Sequence, residues 1–225
     1  MKGAFSYFFH RKGWTRKGYI VMLFTLFYIA FSGIYSFLNG NYEFVFYSVI
    51  LLGILNLGIY VHRAVRLPEF IIAGLSVFGF MHVVGGMAYI DGVRLYDMIF
   101  YGLIRYDNIV HLIGSILAAL VLNVLFYNFA DHQERINRPL YYFALMLMTL
   151  GAGVFNEINE FFAVVFFNAQ EGVGDYFNNA IDLLYNLIGA LLAIILIDVF
   201  SEHRESVLIK IRVKLKQLSR KFNGG

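Results

Sequence analysis

Residues 140–167 read LYYFALMLMTLGAGVFNEINEFFAVVFF. A bilayer core of ~30 Å is crossed by ~20 residues of helix. This run exceeds that length, and its only charged side-chain types are Glu157 and Glu160. Runs of comparable character recur at residues 19–38, 44–61, 70–90, 109–127 and 180–200. The expected fold is therefore all-α: a polytopic transmembrane helical bundle of six spans. The spans form a single domain over residues 1–205, and residues 206–225 make a basic cytoplasmic tail.

Composition agrees with this reading. The chain is 60% hydrophobic, 18% aromatic and 15% charged, with a mean hydropathy of +0.67. That is more apolar surface than a soluble core of 225 residues could hide. Cysteine is absent, which excludes disulfides, thiolate metal sites and cysteine nucleophiles. A net charge of +3 and a pI near 9.0 do not indicate nucleic acid here. The basic residues flank apolar runs, as anchors against anionic lipid headgroups do, so membrane lipid is the expected partner and nucleic acid is not. Pro68 and Pro139 each stand just before an apolar run, where a missing amide hydrogen costs a helix little.

The N-terminal residues 1–17 are basic and precede an apolar stretch, as in a signal peptide. The stretch is too long and no small-x-small cleavage site follows, so it is expected to stay as the first span. Phe5, Phe8, Phe9 and Trp14 are then placed at the membrane interface. Orientation follows from lysine and arginine. With six spans, all but Arg94 and Arg105 of the 18 basic residues fall on one side. That side is assigned to the cytoplasm with both termini, giving a multi-pass cell-membrane protein. In the tail, Ile209, Ile211, Val213 and Leu215 alternate like a strand, while Leu208, Ile211, Leu215, Leu218 and Phe222 fit a helix. A lone strand beside lipid would leave its backbone unpaired, which favours a basic amphipathic surface helix.

Ionisable residues inside the spans carry the functional information, because each costs ~2.5–3.5 kcal/mol at mid-membrane unless partnered. Three pairs share helix faces: Asp107 with His111, Glu157 with Glu160, and Asp182 with Asn186. The first and third open spans that run inward. Glu157 and Glu160 lie ~26 and ~30 Å along an outward-running helix that rises ~1.5 Å per residue. All three pairs thus reach similar outer depth, and His82, ~18 Å into the third span, could approach from below. Asp107 or Asp182 alone also suits a helix-capping role, and His82 that of a hydrogen-bonded packing residue. Capping does not explain Glu157 and Glu160, which lie where the helix dipole disfavours negative charge and need a proton, buried water or a cation.

Carboxylates with an imidazole and no thiolate suit a divalent metal ion such as zinc, manganese, iron or magnesium, without choosing among them. The expected ligands are Asp107, His111, Glu157, Glu160, Asp182 and Asn186, with Glu157 or Glu160 as the catalytic base. The H-E-x-x-H pattern and the repeated E-x-x-H of di-iron bundles are both missing. Small residues cluster nearby: Gly85 and Gly86, Gly114 with Ser115 and Ala118, Gly151 with Gly153, and Gly189 with Ala190. Their ordinary meaning is close helix approach, which would draw the acidic helices together.

The order Tyr106-Asp107-x-x-x-His111, then Asn156-Glu157-x-x-Glu160-Phe161, then Asp182-x-x-x-Asn186-x-x-Gly189-Ala190 resembles the bacterial inner-membrane protein family YjdF. The resemblance covers roughly residues 96–197. It implies the fold and an inner-membrane location, and it marks Asp107, His111, Glu157, Glu160, Asp182 and Asn186 as family-type polar positions. It supplies no reaction. The helix opening also resembles, more distantly, the VanZ-like family of the cell envelope, although Asn108 stands where those proteins carry lysine. Three functions stay open: a metal-dependent enzyme acting on lipid or a lipid-linked substrate near the outer leaflet, a small proton- or cation-coupled transporter, and a structural or partner-binding membrane protein.

Overall fold

The computed structural model describes residues 14–129 and 137–222, with the side chains of residues 127–129, 171–172 and 201–222 left aside. Phe5, Phe8 and Phe9 lie outside the described residues. The helices are α1 (Arg16–Leu38), α2 (Tyr42–Val65), α3 (Glu69–Met87), α4 (Tyr106–Phe129), α5 (Arg138–Phe167), α6 (Gln170–Val173) and α7 (Tyr176–Phe222). All but α6 contain a stretch long and apolar enough to cross a membrane, six in total. The expected all-α polytopic bundle is what the chain forms.

Side-chain caps start several helices. Thr15 accepts from the Gly18 amide at 3.1 Å, Asn41 from that of Phe44 at 3.1 Å, and Asn137 from that of Leu140 at 3.2 Å. Residues in the left-handed region end two: Arg66 after α2 and Asn168 after α5. The tail residues continue α7 without a break to Phe222, so the strand-like alternation there does not make a strand.

The third span is shorter than its expected 70–90. Helix α3 ends at Met87, and Ile90 belongs to the first of two short hairpins. Strands β1 (Tyr89–Ile90) and β2 (Val93–Arg94) pair antiparallel about Asp91-Gly92, both at positive φ. A short 3-10 turn, Leu95–Asp97, follows. Then β3 (Ile99–Phe100) and β4 (Ile104–Arg105) pair about Tyr101-Gly102, again both at positive φ. Asp-Gly is the dipeptide that a tight hairpin selects, and it is the local signal against a helix reaching Ile90.

Apolar side chains cover the outside of the bundle, and the inside mixes apolar residues such as Met22, Ile29, Phe44 and Leu145 with polar ones. Ile34, Leu57, Phe70, Phe126, Phe155 and Ile195, one from each long helix, are exposed, whereas Ser32, Ser36, Thr149 and Asp182 are fully or almost fully buried. Lipid outside removes any reason to hide apolar side chains, and interhelical hydrogen bonds and close contact hold the helices instead. Thr25 and Ser76 hydroxyls meet at 2.7 Å, Ser48 donates to Ser32 at 3.1 Å, and Tyr28 donates to the Ser76 carbonyl at 3.0 Å. These bonds tie α1 to α2 and α3. Helix α7 packs against α4 and α5, and α3 joins the two halves through α4.

Small residues set the close approaches. A methyl at Gly86 would overlap the Phe44 ring, and one at Gly189 would sit 2.6 Å from the Leu112 carbonyl oxygen. Gly151 meets nothing within 4 Å, so the small-residue reading fails there. Gly86→Ala is therefore expected to destabilise the bundle by ~1–3 kcal/mol through overpacking. Gly151→Ala should be neutral or stabilise by up to ~1 kcal/mol, as alanine does within a helix. Thermal unfolding of both variants in detergent reads the contrast.

Candidate functional site

Three helices and the second hairpin build one polar cluster at the hairpin end of the bundle. Helix α4 brings Asp107, Asn108, His111 and Ser115; α5 brings Asn156, Glu157 and Glu160; α7 brings Asn178, Asp182 and Asn186. Spacings of three or four residues put each set on one helix face. Close packing makes the meeting possible. Gly189 lets α7 lie against the α4 backbone, and Gly153 leaves room for Asn186, whose Nδ2 would be 2.5 Å from an added methyl.

His111 is the hub. Its Nε2 is 3.6 Å from Asp107 Oδ1 and 3.9 Å from Asp182 Oδ1, while its Nδ1 is 3.8 Å from Glu157 Oε1. Nδ1 also lies 3.3 Å from Asn186 Oδ1, which accepts from Ser115 Oγ at 2.7 Å. A proton on Nδ1 would let His111 and Ser115 share the Asn186 oxygen as acceptor. The Nε2 lone pair then faces two carboxylates. Three electron-rich atoms this close need a proton among them, on Nε2 or on a carboxyl oxygen, or a bound cation.

Asp182 is 0% exposed, and six helical residues precede it in α7, so it does not cap that helix. Its partners are side-chain amides: Asn108 donates to Oδ1 at 3.1 Å and Asn178 to Oδ2 at 2.8 Å. Both amides are steered by Arg105. Its backbone amide donates to Asn108 Oδ1 at 3.0 Å, and its Nη1 to Asn178 Oδ1 at 2.5 Å. Asn178, Asp182 and Asn186 form a four-residue repeat along α7. That same spacing could have flagged Asn178 in the sequence.

The glutamates differ from each other. Glu160 accepts from Asn156 Nδ2 at 2.7 Å. Glu157 has a side chain only 10% exposed, and neither of its carboxylate oxygens has a hydrogen-bond partner among the described residues. Two overlapping groups can offer ligand atoms within 4.8 Å of one another: Asp107, His111 and Asp182, and His111, Glu157 and Glu160. Ligand atoms ~2.1 Å from a tetrahedral ion stand ~3.4 Å apart, near the 3.6 and 3.9 Å that separate His111 Nε2 from Asp107 and Asp182. Asn186 meets the cluster as a partner of His111 and Ser115. The structure thus brings all six expected residues together, with His82 outside both groups.

His82 instead receives the Tyr96 hydroxyl at Nδ1. Burial above all, with the Asp107 carboxylate next, pushes the Tyr96 phenol well above its ordinary range, so it stays protonated. Beside this pair lies a cavity of about 30 Å³, bordered by Asp107 and Glu160 on one side and Glu43, Arg94 and Tyr96 on another. It has room for about two waters. Arg94 is 3.6 Å from Glu43 and 3.3 Å from Asp97. Sequence reasoning did not select Arg94 or Arg105 for this site. The available signal was their exceptional position, as the two basic residues that break the charge split.

A family model described as "Predicted membrane protein (DUF2238)" matches residues 19–203. No curated protein and no solved structure matches the chain.

Removing Asp182 strands the Asn108 and Asn178 donors in a buried place, at ~1–3 kcal/mol for each unpaired group. Asp182→Ala should therefore lower the unfolding temperature in detergent clearly. Asp97→Ala, at a half-exposed side chain, should shift it little.

Proposed function

The chain belongs to the DUF2238 family of predicted membrane proteins, which is the YjdF-like family, and we propose that within it this protein is a metal-dependent enzyme acting on lipid or a lipid-linked substrate. The observation that carries this is the setting of His111, with its free Nε2 turned to Asp107 and Asp182. Three protein ligands leave positions open for water and substrate, as catalytic rather than structural metal sites do. A divalent ion bound there would supply a polarised water.

The chain's own groups have separate tasks in this reading. Asp107, His111 and Asp182 hold the ion. Asn186 faces His111 Nδ1 and fixes its orientation, the role that carbonyl partners play behind metal-bound histidines, with the Glu157 carboxylate 3.8 Å from the same nitrogen. Glu157, with both oxygens unpartnered, is the proton acceptor, and Glu160 stands behind it on the same face, held by Asn156. Asn108, Asn178 and Arg105 hold Asp182 in place and aimed.

The location in the bacterial inner membrane with both termini in the cytoplasm is part of the same proposal. It draws on the lopsided charge distribution, which leaves the cluster at the outer end. A second reading, a proton or cation pathway, draws on the small cavity that connects Asp107 and Glu160 with Glu43 and Arg94. Liposome flux that disappears with Glu160→Gln would favour that reading over the enzyme.

Metal analysis of purified protein is expected to find about one divalent ion per chain, or to reach that on loading. His111→Ala and Asp107→Ala should abolish the loading, whereas Glu157→Gln should weaken it by ~10–100-fold. A preparation that neither contains nor accepts metal, with no metal-dependent gain in thermal stability, sinks the proposal. Topology has its own test, made clean by the absence of native cysteine. Asp91→Cys should react with an impermeant maleimide on intact cells, and Ser206→Cys only after lysis.

A further inference from the structure

The two hairpins between α3 and α4 carry side chains for which the bundle has no use. At the tip of the second, Tyr101 is 100% exposed and Leu103 84%, and Tyr89, Ile90, Val93 and Ile99 are exposed around them. Tyr176 and Phe177, also exposed, open α7 beside Asn178, which Arg105 of β4 holds. These residues form an apolar, aromatic rim at the end of the bundle that carries the cluster.

Neither packing nor turn chemistry accounts for the tip. Tyr101 has φ 53°, a region where bulky residues are rare and where asparagine or glycine would serve the turn better. Short strands facing water are usually guarded by charged side chains. Here the basic residues of the connection are engaged elsewhere: Arg94 with Glu43 and Asp97, and Arg105 with Asn178. Beside the exposed Asp91, Asp97 and Arg105, the outward surface consists of tyrosine, isoleucine, valine and leucine.

The hairpins cannot reach far from the membrane. Only Ala88 separates α3 from β1, and β4 runs directly into α4. Two-residue strands rising ~3.3 Å per residue, with their turn, keep the tip within about 10 Å of the helix ends. That is the headgroup level of a bilayer crossed by those helices, where tyrosine is enriched. At the same end of the bundle α5 also exposes Phe161, Phe162, Val165 and Phe166.

We infer that the β3–β4 hairpin is a finger seated in the phospholipid interface, with Tyr101 and Leu103 at the boundary between headgroups and acyl chains. Its partner is the lipid layer itself. Strand β4 ends at Arg105, which steers the two amides on Asp182, so the lipid seat sets the depth at which the cluster lies. This holds whether or not the cluster binds a metal.

The test uses the single native tryptophan. Trp14→Phe combined with Tyr101→Trp leaves one indole at the tip, read in phosphatidylcholine vesicles whose acyl chains carry bromine near the headgroup or near the bilayer centre. Shallow bromines are expected to quench the emission by roughly twofold or more, and deep ones much less. Emission typical of water-exposed indole, unquenched at either depth, overturns the inference. So does protection that grows with protein density, which would mean that a second copy covers the tip. Leu103→Trp in the same background reads the same surface should the first variant not fold. Metal content measured on the same vesicles separates the two ideas: a quenched tip without metal removes the cation reading alone.

Discussion

A carboxylate shut away from water in a bundle surrounded by lipid has to find every partner inside the protein. Asp182 is in that position. Two asparagines from different helices supply the donors, and one arginine at the end of a hairpin orients both asparagines. The bond network thus crosses from α7 to α4 and out to β4, so the packing of helices and the course of the extramembrane connection are one problem. Desolvation makes this stringent, because a buried ion left without partners is far costlier than the same group at a surface.

Glycine and hydroxyl residues make such a solution reachable. Where lipid surrounds the protein, greasy side chains gain nothing by turning inward, and helices adhere through short contacts and interhelical hydrogen bonds. Gly189 permits the α4–α7 approach, and Gly153 accommodates Asn186 from across the bundle. In the other half, serine, threonine and tyrosine join α1 to α2 and α3 without any charged group. That half is held by bonds between neutral side chains and backbone. The other concentrates ionisable groups around a single imidazole.

That concentration lies at one end, next to an apolar rim. The hairpins are short, begin and end on helices, and turn their arginines toward protein partners. A polar cluster beside an exposed apolar rim puts polar and apolar surroundings together at one end of the bundle. Glu157 lies 3.8 Å from His111 in that cluster, with neither carboxylate oxygen hydrogen-bonded among the described residues.

The six spans were legible because hydropathy over ~20 residues is a strong local signal and lysine and arginine punctuate it. The pairs on shared helix faces were legible too, since α-helical spacing is fixed. The end of α3 at Met87 was misread because Ala88, Tyr89 and Ile90 are as apolar as the helix before them, and only Asp91-Gly92 betrays the turn. Asp182 as a helix cap was misread because α7 starts at Tyr176, outside the apolar run. Sequence by itself determined that the chain crosses a membrane six times and carries acidic groups at matched depth, both consequences of composition and helical rise. Tertiary structure alone decided that His111 turns one nitrogen to two aspartates and the other to Asn186 and Glu157, and that Arg105 holds the amides around Asp182. Those contacts depend on how helices far apart in sequence rotate and close on one another, and no local periodicity encodes that rotation.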